Sequence, residues 1–259
     1  MSTPQPFLNR PHAGTATQPA VDEGLQSFFA GTYRHMTVAM IITGIIAYIF
    51  GQDLLALTSG RPTAFVPQDL LLALFTTPLR WLVILGPLAF VLISSALMHR
   101  MSPGAARTCL YAFAAMMGLS VSTIFVRYTG ISIAQTFFAT AAAFAGLSLY
   151  GYTTKRDLGP IGRFMFMGLI GLVILGLLNL FIQSEPMSLA LSAVAIFVFA
   201  GLTAYDTQKL KNSFLEMRAA GGQADDIARL SIIGALELYL DALNLFLALL
   251  RFMGASNSD

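Results

Sequence analysis

The sequence predicts an all-α membrane protein of seven transmembrane helices, and three observations carry that prediction. Hydrophobic residues make up 56% of the 259-residue chain and charged residues only 11%. A soluble domain carries about 25% charged residues, so too little polar surface is left to cover a water-facing globule. Mean hydropathy is +0.71. Seven runs approach the roughly 20 apolar residues needed to cross the hydrocarbon core of a bilayer. They cover residues 33–50, 80–98, 108–126, 131–150, 162–183, 188–208 and 231–251.

Residues 1–30 are polar and rich in Pro, Thr and Gln. They lack the charged start, apolar centre and small-residue cleavage site of a signal peptide, and they read as a disordered tail. The transmembrane domain is then 31–253, with 254–259 as a short C-terminal tail. The first span is short, and Tyr33, Arg34 and Gln52 can extend it to the interfaces. Phe65–Phe75 is apolar but spans only about half the length needed to cross, and it reads as an interfacial segment. Gly86-Pro87 predicts a kink in the second span, because proline removes a backbone hydrogen bond and crowds the preceding turn. Ala139, Ala142, Ala143 and Gly146 offer a small-residue packing face on the fourth span. Ser184-Glu185-Pro186 reads as a helix start, and 209–230 as a long connection. Lys and Arg set the orientation. With the N-terminus in the cytoplasm, the inner set holds 11 of the 15 (Arg10, Arg34, Arg100, Arg107, Lys155, Arg156, Arg163, Lys209, Lys211, Arg218, Arg229) and the outer set 4 (Arg61, Arg80, Arg127, Arg251).

Several function classes fall away. A net charge of +2, spread along the chain, suggests no nucleic-acid partner. The single cysteine, Cys109, excludes an internal disulfide framework. His12, His35 and His99 have no metal-site spacing, and there is no phosphate loop or nucleophile elbow. The expectation is that the chain is not an enzyme and carries no resident cofactor.

Carboxylates mark the candidate site. Asp206 ends the apolar run from Leu189 to Tyr205, and Asp241 lies in the middle of the run from Ile232 to Leu250. A carboxylate at membrane depth costs roughly 2.5–3.5 kcal/mol on insertion scales and is a functional-site hypothesis by default. On a helical wheel Glu237, Asp241, Asn244 and Arg251 fall within an arc of roughly 80° at about 100° per residue, against leucines elsewhere. Such a stripe faces a bundle interior or a water-filled cavity. For Asn244 alone an interhelical clamp that only fixes packing is the plainer reading. Asp206, beside Lys209 and Lys211, also reads as a solvated helix end. Simple depth arithmetic leaves about 10–15 Å between the two aspartates.

Leu238-Tyr239-Leu240-Asp241-Ala242-Leu243-Asn244-Leu245-Phe246 and the following residues to Arg251 resemble the closing signature of the Bax inhibitor family. Tyr205-Asp206-Thr207-Gln208 resembles its sixth-span motif. Arg100, Tyr111-Ala112-Phe113 and Gly118-Leu119-Ser120 look like its second and third spans. The resemblance implies seven helices with the last one central, wrapped by the other six. It implies a pH-sensitive calcium leak channel, with calcium as permeant ion and weak, transient ligation by Asp206 and Asp241. Those two match the family's aspartate pair, Arg100 its gate arginine and Arg251 an arginine near the outer end. Where a bacterial member has a glutamate to partner that outer arginine, this chain has Ala89. Two carboxylates within hydrogen-bond reach share a proton and titrate as a unit. Asp206, Asp241, Glu237 and Asn244 could then offer a passing calcium ion four ligands. The alternative is a non-transporting regulator of a membrane protease or a stress or cell-death partner, acting through 1–30 and 209–230. An intramembrane aspartyl protease fits less well, because no Gly-x-Gly precedes Asp241. A bacterial cytoplasmic membrane is the expected location.

Overall fold

A backbone inside a bilayer must satisfy its own polar groups, and long Leu-, Ala- and Phe-rich runs do so as helices. The computed structural model describes residues 18–254. Its helices are α1 (Gln18–Thr58), α2 (Gln68–Thr76), α3 (Arg80–Met98), α4 (Pro103–Val121), α5 (Ile124–Arg127), α6 (Gly130–Thr153), α7 (Gly159–Ile182), α8 (Glu185–Ala219) and α9 (Ala224–Met253). Among the described residues there is no strand. Six of the helical segments are long and apolar enough to cross a membrane, and the number reaches seven if α2 and α3, bent by 68° at their junction, form one broken span.

Three expectations change. Helix α1 begins at Gln18, well inside the expected polar tail, because its first turns have something to bury. Leu25, Phe28 and Phe29 are each 5% exposed and pack with Phe144, Leu210 and Phe214, and the Phe28 and Phe214 rings stack at 4.6 Å. The remainder of that tail, 1–17, and residues 255–259 lie outside the described residues. The expected connection 209–230 is also mostly helix: α8 runs on to Ala219, and α9 starts five residues later. Finally, Ala139, Ala142, Ala143 and Gly146 are all exposed. The buried face of α6 is Ser132, Thr136, Thr140, Phe144, Ser148 and Gly151, at the i, i+4 and i, i+3 spacing of a helix face. The hydroxyls are satisfied locally or across the interface: Thr140 donates to the Thr136 carbonyl (2.7 Å) and Ser148 meets Thr207 (3.2 Å).

The expected helix start at Ser184 is present, with the Ser184 hydroxyl accepting from the Met187 N–H. Pro87 lies inside α3. The apolar stretch expected to be interfacial largely forms α2, and the loop before it is held by a carboxylate that hydropathy does not single out. Asp53, 1% exposed, accepts from the N–H groups of Ala64, Phe65 and Val66 at 2.6–2.8 Å. Three backbone donors converging on one carboxylate satisfy a charge that burial would otherwise make costly.

Helix α9 packs against α1, α3, α4, α6 and α8. Of its most apolar 18-residue window, 67% is buried, against 33% or less for every other candidate span and 0% for α7. A polar node fixes it to two neighbours: the fully buried Tyr239 hydroxyl lies 2.7 Å from Thr43 Oγ1, which donates to the Ala114 carbonyl at 2.9 Å. On α6, Gly151 sits against the Ala204 backbone of α8, whereas Gly146 has open space around it. Gly151→Ala is therefore expected to destabilise the protein by about 1–3 kcal/mol through overpacking, and Gly146→Ala to leave thermal unfolding in detergent unchanged. Equal effects of the two substitutions would contradict this packing.

Candidate functional site

Helices α8 and α9 form an antiparallel hairpin closed by residues 220–223, with Gly221 at φ 74°. Residues equally far from such a turn lie level with one another. Asp206 precedes Ala220 by 14 residues and Asp241 follows Gln223 by 18, a difference of four residues, or about 6 Å of rise. The two carboxyl groups stand within side-chain hydrogen-bonding reach. The 10–15 Å gap of the depth arithmetic closes because α8 continues past the expected end of its span and carries Asp206 back along α9.

Each residue of the sixth-span motif has a separate task. Tyr205 packs its ring over Gly162 of α7, where a Cβ would collide. Asp206 meets Asp241. Thr207, fully buried, bonds the Thr203 carbonyl (2.8 Å) and Ser148 (3.2 Å). Gln208 holds the α6–α7 connection: its Oε1 accepts from the Leu158 N–H and its Nε2 donates to the Arg156 carbonyl, both at 2.8 Å.

Asp241 is 5% exposed, and among the described residues its Oδ2 has no hydrogen-bond donor. The group facing it is another carboxyl, so a hydrogen bond between them requires a proton on one. Two bare carboxylates at this separation repel, and burial strengthens the repulsion. The neighbouring cation is Lys209, whose Nζ lies 2.8 Å from Glu237 Oε1 and 3.9 Å from Asp206 Oδ1. This pair is about two-fifths exposed on the lysine side, where screening leaves an ion pair little stabilising value of its own.

These residues line a cavity of about 1110 Å³ bounded by α3, α4, α7, α8 and α9. Glu237, Asp241, Asn244 and Arg251 all line it, so the stripe on α9 does face a cavity. Its walls are apolar residues such as Leu88 and Val91 of α3 and Phe166 and Leu172 of α7. Glu237 and Arg251 are about 21 Å apart along α9. Two expected ligands are otherwise engaged: Glu237 is held by Lys209, and Asn244 donates to the Leu240 carbonyl at 2.8 Å. Among the described residues, no three of His, Cys, Asp and Glu are gathered closely enough to hold a metal ion.

The structure does not bring Arg100 to the pair. It lies exposed in the turn after α3 and does not line the cavity. Arg229 of α9 bonds that turn, reaching the Met101 carbonyl at 2.8 Å and the His99 carbonyl at 3.4 Å. Asp241 lies about 18 Å farther along α9 than Arg229, beyond the reach of an arginine side chain. The cation beside the pair is Lys209. Its neighbours in sequence, Asp206 and Gln208, were the available signal for it, together with its place on the same turn of α8 as Asp206.

An all-helical bundle with acidic groups lining an otherwise apolar cavity among its spans defines the class: a polytopic integral membrane protein. The family model described as "Inhibitor of apoptosis-promoting Bax1" matches residues 25–258. The chain is 38% identical over 244 residues to inner membrane protein YbhL of Escherichia coli K12, covering 94% of this chain and 97% of that one. It is also 38% identical over 237 residues to an uncharacterized protein of Caulobacter vibrioides, covering 92% of each. A membrane protein of Streptococcus pyogenes, SpyM3_0260, is 31% identical over 240 residues, covering 91% of this chain and 96% of its own. The chain belongs to the Bax inhibitor family.

If one proton links the two aspartates, their substitutions are not independent. A double-mutant cycle of Asp206→Asn and Asp241→Asn, read by denaturation in detergent, is expected to give a coupling above about 0.5 kcal/mol. Additive effects would mean that the carboxyls do not interact.

Proposed function

We propose that the chain is a pH-responsive cation leak pathway, with calcium as the permeant ion, in a bacterial inner membrane. It is a conducting protein and not an enzyme. In this reading α2 and α3 together make one of seven spans, α9 stands at the centre, and the N-terminus faces the cytoplasm. The observation that carries the proposal is the pair of facing carboxyls, Asp206 and Asp241, inside a cavity that follows α9 from Glu237 to Arg251. The inner-membrane location rests on the similarity to YbhL.

The mechanism follows from charge. With one proton between them, the aspartates form a hydrogen-bonded pair that closes the cavity around Asp241. Loss of that proton leaves two like charges in a low-dielectric site, and the repulsion is relieved by separation, by Lys209, or by a cation. Calcium takes oxygen ligands from carboxylates, carbonyls and water. Two aspartates completed by water would hold it loosely, and conduction needs sites weak enough to leave. Lys209 is the gate cation in this scheme. While it bridges Glu237 and Asp206 it holds positive charge at the mouth and opposes cation entry.

Reconstituted liposomes test this. Asp241→Asn is expected to abolish the pH response of calcium flux and to change the flux by about tenfold, equivalent to about 1.4 kcal/mol. Lys209→Met is expected to raise the flux. Wild-type flux and pH response in both variants would sink the proposal.

A further inference from the structure

A second cavity, of about 550 Å³, lies at the end of the bundle where α4 and α9 begin and α8 ends. It is separate from the aspartate cavity and shares no lining residue with it. Three arginines from three helices border it: Arg34 of α1, Arg107 of α4 and Arg218 of α8. His35 adds a fourth nitrogen-bearing wall, its Nδ1 3.0 Å from the Tyr111 hydroxyl. No lining residue is acidic. Asp22, Glu23 and Asp225 are exposed outside it, and Asp226 is paired with Arg229 at 3.1 Å. Among the described residues, none of the three guanidinium groups makes an ion pair or a side-chain hydrogen bond. The three arginines are exposed, so water screens their mutual repulsion, and an anion among them removes what remains.

The backbone contributes in the same direction. Gly104 in the first turn of α4 and Ala224 at the start of α9 both line the cavity. Helices of 19 and 30 residues therefore present their N-termini to one space. The Asp226 N–H donates to the Gln223 carbonyl and the Ala105 N–H to the Ser102 hydroxyl, which leaves the N–H groups of Gly104, Ala224 and Asp225 unengaged among the described residues. Free N–H groups and the positive end of a helix dipole favour negative charge. Guanidinium forks match the oxygens of phosphate in pairs.

The geometry points to a binding site for an anionic phosphate group, held by Arg34, Arg107 and Arg218 beside the starts of α4 and α9. The volume leaves room for an organic body beside the phosphate. The phosphate could be presented by a soluble ligand or by an anionic lipid headgroup, and the experiment distinguishes the two. The site does not depend on ion conduction by the aspartate cavity.

The test uses the full chain in nanodiscs, with inorganic pyrophosphate as probe and calorimetry as readout. In phosphatidylcholine nanodiscs pyrophosphate is expected to bind, and R107Q/R218Q to bind about tenfold more weakly, as loss of charge-assisted hydrogen bonds dictates. Arg34→Gln serves as a milder variant if the double substitution fails to fold. Arg61→Gln, in the loop beyond the opposite end of α1, is expected to bind as wild type. Undiminished pyrophosphate binding when phosphatidylglycerol is added identifies a soluble ligand. Loss of that binding, with more phosphatidylglycerol retained by wild type than by R107Q/R218Q after detergent extraction, identifies a headgroup. Absence of pyrophosphate binding in phosphatidylcholine with equal lipid retention overturns the proposal, as does binding unchanged in R107Q/R218Q or in Arg34→Gln.

Discussion

The register of the α8–α9 hairpin is the constraint on which the site depends. A short turn at 220–223 forces residues on the two helices to meet in order of their distance from it. Asp206 then faces Asp241, and Lys209 faces Glu237 at 2.8 Å. A one-residue change in the turn would rotate one helix by about 100° relative to the other and break both pairings. The neighbours reinforce this register. Thr207 joins α8 to α6 through Ser148, Gln208 grips the α6–α7 connection, and Gly162 lets α7 close over Tyr205. The Tyr239–Thr43 bond holds α9 against α1. The aspartates are therefore presented on rigid helices, which a proton-sensitive contact between two short side chains requires.

Charge is sorted along the bundle with the same economy of placement. Arg229 bonds the carbonyls at the end of α3, and Lys211 bonds the Tyr152 carbonyl near the end of α6 at 2.8 Å. Positive side chains at helix C-termini satisfy orphan carbonyls and complement the dipole. Cations counted in the sequence as an orientation signal thus split into two kinds. Some hold helix ends, while Arg34, Arg107 and Arg218 border one cavity with no ion pair among the described residues.

Much of this was legible in the sequence, for reasons that also set its limits. Hydropathy marks spans because a bilayer demands continuous apolar length, so the long runs were found. The same measure does not see a helix continuing into water, and the polar half of α8 read as a connection. That one omission produced the false gap between Asp206 and Asp241. The wheel placed the α9 stripe on a cavity because one helix's periodicity suffices for that. The packing face of α6 was missed for the opposite reason: small residues suggest close approach, but the face is chosen by partners on other helices. Here Thr207 and the Ala204 backbone select Ser148 and Gly151. Arg100 was assigned by resemblance, and distance along α9 separates it from the pair. Asp53 and Tyr239 gave no signal beyond being polar in apolar runs, because their partners are backbone groups or a distant threonine.

The central claim is that Asp206 and Asp241 share one proton across the α8–α9 contact. Infrared difference spectroscopy of the reconstituted protein, titrated across its pH response, tests it most directly. The account predicts a single protonated-carboxyl C=O band that is lost or shifted in both Asp206→Asn and Asp241→Asn. A band that persists unchanged in either variant, or no protonated carboxyl anywhere in the titration, would contradict it.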